Sequence, residues 1–310
     1  MRPLLPQLAP LVMRQRPPPP IRLASEMCYA RRMMRWGRWA GIALVIAGCD
    51  FGTLDDLSRD EAAAGTTETS TQALKLWTAY DKPDDELKEA VADIAGVVQR
   101  AGARPVQVTI DHLTKDKLGI PSITRDPAAG QGMLVITELD CSLAQVEKLA
   151  AAKNQPDIYP GSYDKYDRTY QTSIEDFIGG STPTVVWKAA YTVSLLGRTY
   201  EAKLTGGARR IAGAAPGGTT MLVSRTVLDE PARFISGSDA EFNQDYQLEA
   251  FYEIAPSKVV HYYALWREFR VGSLTSSDNL YINVILGNLV DFDVRTSKVC
   301  RDNAPAPKFE

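Results

Sequence analysis

The sequence predicts an α+β protein built around an antiparallel β-sheet, and two kinds of periodicity carry this prediction. Across residues 182–266 apolar and polar residues alternate, which is the pattern of antiparallel strands with one buried face. The stretches 83–100 and 276–297 instead repeat apolar residues at steps of three and four, which is typical of amphipathic helices. The longer run of strands lies between these two stretches, so helices and sheet are segregated along the chain.

The first predicted helix covers residues 83–100. Pro83 suits a first helical position, and the acidic residues after it suit the positive end of the helix dipole. One apolar face is formed by Leu87, Val91, Ile94 and Val98. A short strand is predicted at 106–110, where Val and Ile alternate with polar residues, and a loop at 115–132.

The next segment begins with a compact apolar run at 133–139, which is predicted to be a strand. Ser142 then suits the N-cap of a helix that ends near Lys153. A patch of four tyrosines follows, made of Tyr159, Tyr163, Tyr166 and Tyr170. Their rings are expected to pack on the core with wet hydroxyls, and the alternative is an aromatic rim for a ligand.

Alternating strands occupy the second half of the chain. A hairpin is predicted with its turn at Gly197, followed by a loop at 205–218, a strand at 221–228, and two strands joined by a turn at 255–258. Arg209 and Arg210 fall in the predicted loop, where they are expected to be solvated; the alternative places them at the portal of a ligand site.

The chain is predicted to end in its longest helix. Ser276 or Ser277 suits the N-cap, and Asp278 the first turn. The apolar residues of this helix step by three, four and three, at Ile282, Ile285, Leu289 and Phe292.

An export signal precedes all of these elements. Arginines at 31–38 are followed by an apolar run at 39–47, which is far shorter than the roughly 20 residues of a membrane span. The run ends in Ile46-Ala47-Gly48-Cys49, which resembles the lipobox of bacterial lipoproteins. The resemblance implies cleavage before Cys49 and acylation of Cys49, and hence a lipid-anchored, periplasm-facing protein of the bacterial envelope. Because residues 1–32 are too long for an ordinary signal, translation is expected to begin at Met27, Met33 or Met34, and 1–32 is then not translated in full.

Net charge excludes one class of partner. Residues 1–48 hold eight Arg and one Glu, so their removal leaves 27 basic and 37 acidic residues and a net charge of −10. Phosphate contacts need a basic surface, so nucleic acid is not an expected partner. Cys141 and Cys300 are the only cysteines after Cys49. An oxidising compartment favours a disulfide between them, and two separately buried thiols are the alternative.

The order of elements is one strand, short helices, five or six antiparallel strands and a long terminal helix. It is similar to the helix-grip fold of the START and polyketide-cyclase-like (SRPBCC) superfamily, and residues 135–146 (VITELDCSLAQV) resemble its first strand and small helix. The resemblance implies a curved antiparallel sheet wrapped around the terminal helix, with a cavity for an apolar ligand. The residues expected to line it are Trp187, Tyr191, Tyr252, Tyr262 and Trp266. The alternative is a filled core without a cavity.

No catalytic or metal-binding motif stands out. His112 and His261 are the only histidines, and neither has a second ligand at metal-site spacing, so no metal and no cofactor are expected. Asp111-His112 could supply a base, but a polar strand end is strongly favoured, because a base needs a nucleophile and an orienting group that only the fold could supply. His261 is expected to be packed or solvated.

Five segments follow: a signal peptide at 1–48, a lipidated Cys and flexible linker at 49–72, an N-terminal α/β extension at 73–130, a START-like domain at 131–300 and a disordered tail at 301–310. The predicted function is non-catalytic binding of an apolar small molecule or lipid by a membrane-tethered lipoprotein. One alternative is a structural or assembly lipoprotein that acts through protein contacts, which the extension would serve. The other is a cyclase-like or hydrolase-like enzyme on the same fold.

Overall fold

The computed structural model describes residues 63–100, 105–195, 197–237 and 239–310 of the 310-residue chain. The helices are α1 (Thr67–Ala79), α2 (Asp84–Arg100), α3 (Lys115–Leu118), α4 (Leu143–Ala151), α5 (Gln155–Ile158), α6 (Ile174–Ile178) and α7 (Asn279–Asp302). The strands are β1 (Val106–Ile110), β2 (Gln131–Leu139), β3 (Lys165–Tyr170), β4 (Thr184–Leu195), β5 (Arg198–Ile211), β6 (Met221–Leu228), β7 (Arg233–Ser236), β8 (Ala240–Ala255), β9 (Lys258–Val271) and β10 (Leu274–Thr275).

All ten strands of the described residues belong to one antiparallel sheet. Eight of them follow the order β1-β2-β9-β8-β6-β5-β4-β3, while β10 pairs with β9 and β7 pairs with β5. The predicted α+β class is confirmed, with its antiparallel sheet and long C-terminal helix in the helix-grip arrangement. After β2 the described residues form eight strands, β3 to β10, where five or six were expected. The strand β1 of the N-terminal extension pairs with β2 and so joins the same sheet.

The first side of the sheet, here called the helix-facing side, packs against α7. Tyr281, Ile282 and Ile285 of α7 share a buried cluster with residues of β2, β4, β5, β8 and β9. The helix is also held by hydrogen bonds, since the Ser297 hydroxyl accepts from the backbone N–H of Asp140 at 3.0 Å. No helix in the described part of the chain is long and apolar enough to cross a membrane.

The second side, here called the outer side, is covered by α1 and α2. The apolar face predicted for 83–100 is buried there, with Leu87 and Ile94 completely inaccessible. Trp77 of α1 packs edge-on against two aromatic rings of the sheet, with centroids 5.8 Å from Tyr246 and 5.6 Å from Trp266. The sheet is therefore covered by helices on both sides.

Helix α1 corrects the linker predicted to extend to residue 72. It begins at Thr67 because the hydroxyl of Thr66 accepts a hydrogen bond from the backbone N–H of Thr69 and caps the first turn. Just before it, the backbone of Ala63 and Gly65 pairs with Thr109 at the free edge of β1, at 2.9 and 2.7 Å. Apolar residues of α1 then face the sheet, which gives the helix the burial that stabilises it.

Strand β5 corrects the loop predicted at 205–218. The strand continues to Ile211 and pairs with β4 and β6, so Arg209 and Arg210 are strand residues and not part of a mobile loop. Arg210 forms a partly buried ion pair with Glu147 of α4. Arg209 pairs with Asp84 and donates to the backbone at the end of α1.

The C-terminal residues differ from the predicted disordered tail. Residues 301 and 302 complete α7, and the segment after them runs back along the loop between α4 and α5. Asn154 holds it at two points: its side-chain NH₂ donates to the carbonyl of Ala306 at 3.0 Å, and its Oδ1 accepts from the N–H of Lys308 at 2.8 Å. Phe309 then packs against the helix-facing core.

Candidate functional site

The middle of the helix-facing side is polar. Successive side chains of a strand point to opposite faces, so Asp245, Gln247 and Glu249 of β8 face α7 while the apolar residues between them face the outer side. Strand β9 places His261 and Arg267 on the same helix-facing side. This polar strip is the candidate functional site.

His261 and Asp293 form the centre of the site. The imidazole Nδ1 lies 2.9 and 3.0 Å from the two carboxylate oxygens of Asp293 on α7. The Thr137 hydroxyl of β2 donates to the same carboxylate at 2.5 Å. Both members of the pair are buried, with 2% and 4% of their side chains exposed. The pair therefore ties α7 to β9 and β2 through a desolvated polar contact.

The other ring nitrogen of His261 faces Glu249. Its Nε2 lies 3.4 Å from Glu249 Oε1, close enough for an ion-pair contact but without hydrogen-bond geometry. Within the described ranges, this Nε2 is the buried side-chain nitrogen or oxygen that lacks a hydrogen-bond partner. The Glu249 side chain keeps 22% of its surface exposed, so its carboxylate retains hydrogen-bonding capacity.

The charge state of His261 follows from its neighbours. Burial alone would lower the pKa of the imidazole, but the carboxylates of Asp293 and Glu249 outweigh burial and raise the pKa to about 9. His261 is therefore an imidazolium at neutral pH, and both ring nitrogens are donors.

A second polar group lies beside the first. Arg267 binds Asp245 through two parallel contacts, Nε to Oδ1 at 3.0 Å and Nη2 to Oδ2 at 2.9 Å. Gln247 donates to the same Asp245 carboxylate at 2.5 Å, and its own amide oxygen accepts from the Tyr263 hydroxyl at 2.9 Å. The Asp245 and Arg267 charges thus neutralise each other, and Tyr263 is fixed next to the site.

Tyrosine rings also pack on the helix-facing side of the sheet. The predicted tyrosine patch lies on β3 and on the loop before it, and its rings pack against the core cluster. The ring centroids of Tyr163 and Tyr191 lie 5.7 Å apart, and those of Tyr159 and Phe292 of α7 lie 4.3 Å apart. Burial raises the pKa of Tyr159 and of Tyr200 to about 12, so these hydroxyls are neutral donors and acceptors.

The five residues predicted to line one cavity lie on two sides of the sheet. Trp187 and Tyr191 of β4 belong to the helix-facing cluster. Tyr252, Tyr262 and Trp266 belong to the outer cluster with α1 and α2, so their assignment to the same cavity is wrong. The reason is that β8 and β9 direct their most apolar faces toward the N-terminal helices and their polar faces toward α7.

Trp187 is held from two directions. The Arg168 guanidinium lies over its indole ring at 4.5 Å, a favourable cation–π contact. Gly206 of the neighbouring strand lies beneath the ring, and a Cβ at this position would stand 2.5 Å from the indole Nε1. Only glycine leaves room for the ring here.

The cysteines and the remaining histidine take different places. Cys141 and Cys300 are joined by a disulfide with an S–S distance of 2.08 Å, which links the chain after β2 to the end of α7.

His112 packs outside the candidate site, with Nδ1 2.9 Å from the carbonyl oxygen of Gly130. Cys49 and the signal segment lie outside the described residues. Within the described ranges, no group of three or more side chains has the arrangement of a metal site.

Two cavities open elsewhere on the surface. One, of about 470 Å³, lies between α6 and the last four residues of the chain, next to Phe309. The other, of about 230 Å³, is lined by His112, Glu268 and residues near the start of α7. Neither is lined by His261 or Glu249.

One feature of the sequence does point to the site. Asp293 follows Leu286 and Leu289 at helical spacing, so it interrupts the apolar stripe of α7. An acidic residue in such a stripe needs a buried partner, and His261 is that partner. Glu249 gave no such signal, because a polar residue alternating with apolar ones in a strand is usually solvated.

No protein-family model matches the chain, and no curated protein matches it. Several solved structures are similar in fold. A START superfamily protein from Mycobacterium smegmatis shares 10% identity, with 56% of this chain and 99% of that chain covered and a TM-score of 0.35. Human STARD10 shares 10% identity, with 68% and 79% covered and a TM-score of 0.38. A STAR-related lipid transfer protein fragment from Xanthomonas axonopodis shares 10%, with 56% and 86% covered and a TM-score of 0.33. Such values assign neither a family nor a ligand, and the fold class rests on the strand order and on α7.

Proposed function

We propose that the protein binds an amphipathic small molecule or lipid between the sheet and α7 and does not transform it chemically. The observation that carries the proposal is the composition of the helix-facing side. Buried tyrosine rings lie on the same side of the sheet as a carboxylate, Glu249, that is partly exposed and keeps spare acceptor sites. Apolar walls with a few convergent polar groups are typical of small-molecule sites.

The chemistry of His261 supports binding over catalysis. A general base must be unprotonated at working pH, whereas the neighbouring carboxylates hold the pKa of His261 at about 9. Its imidazolium is also fixed by Asp293, which leaves it no freedom to move toward a substrate. A cyclase-like or hydrolase-like role therefore has less support than a binding role.

The N-terminal extension has a structural explanation. From the sequence alone, this extension favours the alternative of an assembly lipoprotein, because a helix-grip sheet does not need such an extension. In the structure, the apolar residues of α1 and α2 cover the outer side of the sheet. Protein–protein contacts are thus not required to explain the extension.

A membrane anchor on Cys49 completes the proposal, and its support is the lipobox-like sequence alone. Two or three acyl chains would hold the protein on the membrane, since each buried CH₂ contributes about 0.8 kcal/mol. We expect the Cys49→Ser variant to lose membrane fractionation and to accumulate at its unprocessed size. A serine variant that still sediments with membranes at the processed size would contradict the anchor.

Two tyrosines on adjacent strands offer a matched test of ligand binding. Tyr263 of β9 faces α7, whereas Tyr252 of β8 faces α1 and α2, and both are buried. With the neutral fluorescent dye Nile red as an apolar probe, we expect saturable binding to the wild-type protein. The Tyr263→Leu variant should bind the dye several-fold more weakly, and the Tyr252→Leu variant should bind it like the wild type.

Thermal unfolding of both variants serves as the control, because each loses a buried ring and a similar amount of stability. Equal weakening of dye binding in the two variants would contradict a site on the helix-facing side. Failure of the wild-type protein to bind the dye would contradict the proposed function itself.

A further inference from the structure

Glu249 determines the net charge of the helix-facing interior. The Asp245–Arg267 pair and the His261–Asp293 pair are each neutral when His261 is protonated. Glu249 adds one negative charge that no cation in these two groups cancels. If His261 loses its proton, the local charge becomes more negative still. The polar strip around Glu249 therefore carries a net negative charge whether or not His261 is protonated.

Other arginines on the same side of the sheet are engaged elsewhere, and Arg210 of β5, for example, pairs with Glu147 of α4. Arg168 of β3 stacks on Trp187 and Tyr166 and donates to the carbonyl oxygen of Ala150 and to the Tyr166 hydroxyl. The Arg168 guanidinium is therefore bound between β3 and α4 and does not neutralise Glu249. The excess negative charge remains near Glu249.

The surroundings of Glu249 also favour a positive group. Tyr263 lies directly opposite Glu249 in the β8–β9 register, and its ring stacks on His261 at 5.4 Å. Aromatic faces attract cations that approach within about 6 Å of the ring centre. The two oxygens of the Glu249 carboxylate together offer about four acceptor sites. His261 Nε2 approaches one of these oxygens, at 3.4 Å, so acceptor sites remain for a ligand.

We propose that the polar end of the ligand is a protonated amine that donates hydrogen bonds to Glu249. The inference deepens the proposed function and rests on it, because it names the ligand class for the same interior. A carboxylate that is partly removed from water and shares its imidazolium neighbour with a second carboxylate is unfavourable, and an ammonium group supplies both the missing charge and the donors. An alcohol would supply a donor without the charge, and an anionic head group would be repelled.

Three ten-carbon amphiphiles test the proposal by displacement of Nile red at pH 7, each below its micelle-forming concentration. They are decylamine, decanol and decanoate, which share one apolar chain and differ in head group. We expect decylamine to displace the dye at a concentration roughly tenfold lower than decanoate does, since one charge-assisted contact of about 1.4 kcal/mol corresponds to that factor. Decanol should fall between them.

Two variants with the same change of charge separate a local effect from a general one. Glu249→Gln should abolish the preference for decylamine, because it removes the charge and keeps the shape of the side chain. Glu89→Gln on α2, where 79% of the side chain is exposed, should retain the preference. Thermal unfolding confirms that each variant is folded.

The outcomes distinguish the two proposals. Equal displacement by decanoate and decylamine, or an unchanged preference in Glu249→Gln, would overturn the amine site while ligand binding still stands. If the dye binds to none of the proteins, the proposed function fails instead.

Discussion

Reduction of the Cys141–Cys300 disulfide is expected to lower the free energy of unfolding by up to about 5 kcal/mol, because the bridge closes a loop of 159 residues. A crosslink across so long a loop removes many conformations from the unfolded chain. Both half-cystines are buried, at 0% and 4% exposure, so reduction requires the region around them to open. Urea unfolding with and without reductant, followed by circular dichroism, measures the effect.

The control for the disulfide is the double variant Cys141→Ala with Cys300→Ala. It should unfold at the lower urea concentration of the reduced protein and should not respond to reductant. Unchanged unfolding of the wild-type protein, once mass spectrometry shows the two thiols to be free, would contradict a stabilising crosslink.

The second large effect is expected from Asp293→Asn. The change keeps the shape of the side chain but leaves the buried His261 imidazolium without its carboxylate, and loss of one member of a buried pair costs about 3–5 kcal/mol. Asp291 lies two residues earlier on the exposed face of α7, so Asp291→Asn makes the same change of charge in solvent. We expect this control to change stability by less than about 0.5 kcal/mol.

The pH dependence gives this prediction a distinctive signature. Because the folded pKa of His261, about 9, exceeds its ordinary value of 6.5, the stabilisation is fully present below pH 6.5 and is lost as pH rises through 9. Its size is on the order of 3 kcal/mol. The difference in stability between wild type and Asp293→Asn should therefore be largest near pH 6 and shrink toward pH 10. A difference that does not depend on pH would contradict the ion pair.

Local patterns predicted many of the elements correctly. The helix at 83–100 was predicted from its apolar stripe, and Ser142 was predicted as a cap; it does cap α4, in a reciprocal arrangement with Gln145. Alternation predicted the strands β4, β6, β8 and β9. These features depend on residues close in sequence, so periodicity and capping chemistry determine them.

The orientation of the sheet could not be predicted in the same way. Alternation shows that Tyr252 and Glu249 lie on opposite faces, but it does not show which face meets α7. That choice depends on α1, because its Trp77 packs on the outer side. The polar composition of α1 gives no sequence signal for this helix. Once the outer side is covered, the polar residues of β8 must face the interior. The candidate site therefore emerged only with the tertiary structure.

The two end strands of the sheet bear on self-association. A bare edge strand offers unpaired backbone groups to a second molecule and so favours aggregation. On β1, the backbone of residues 63–65 occupies the edge next to Thr109. On β3, Lys165 and Asp167 are exposed along a strand of only six residues, and charged side chains on a short strand oppose such pairing. Each end of this sheet thus carries a feature that discourages its growth into intermolecular fibres.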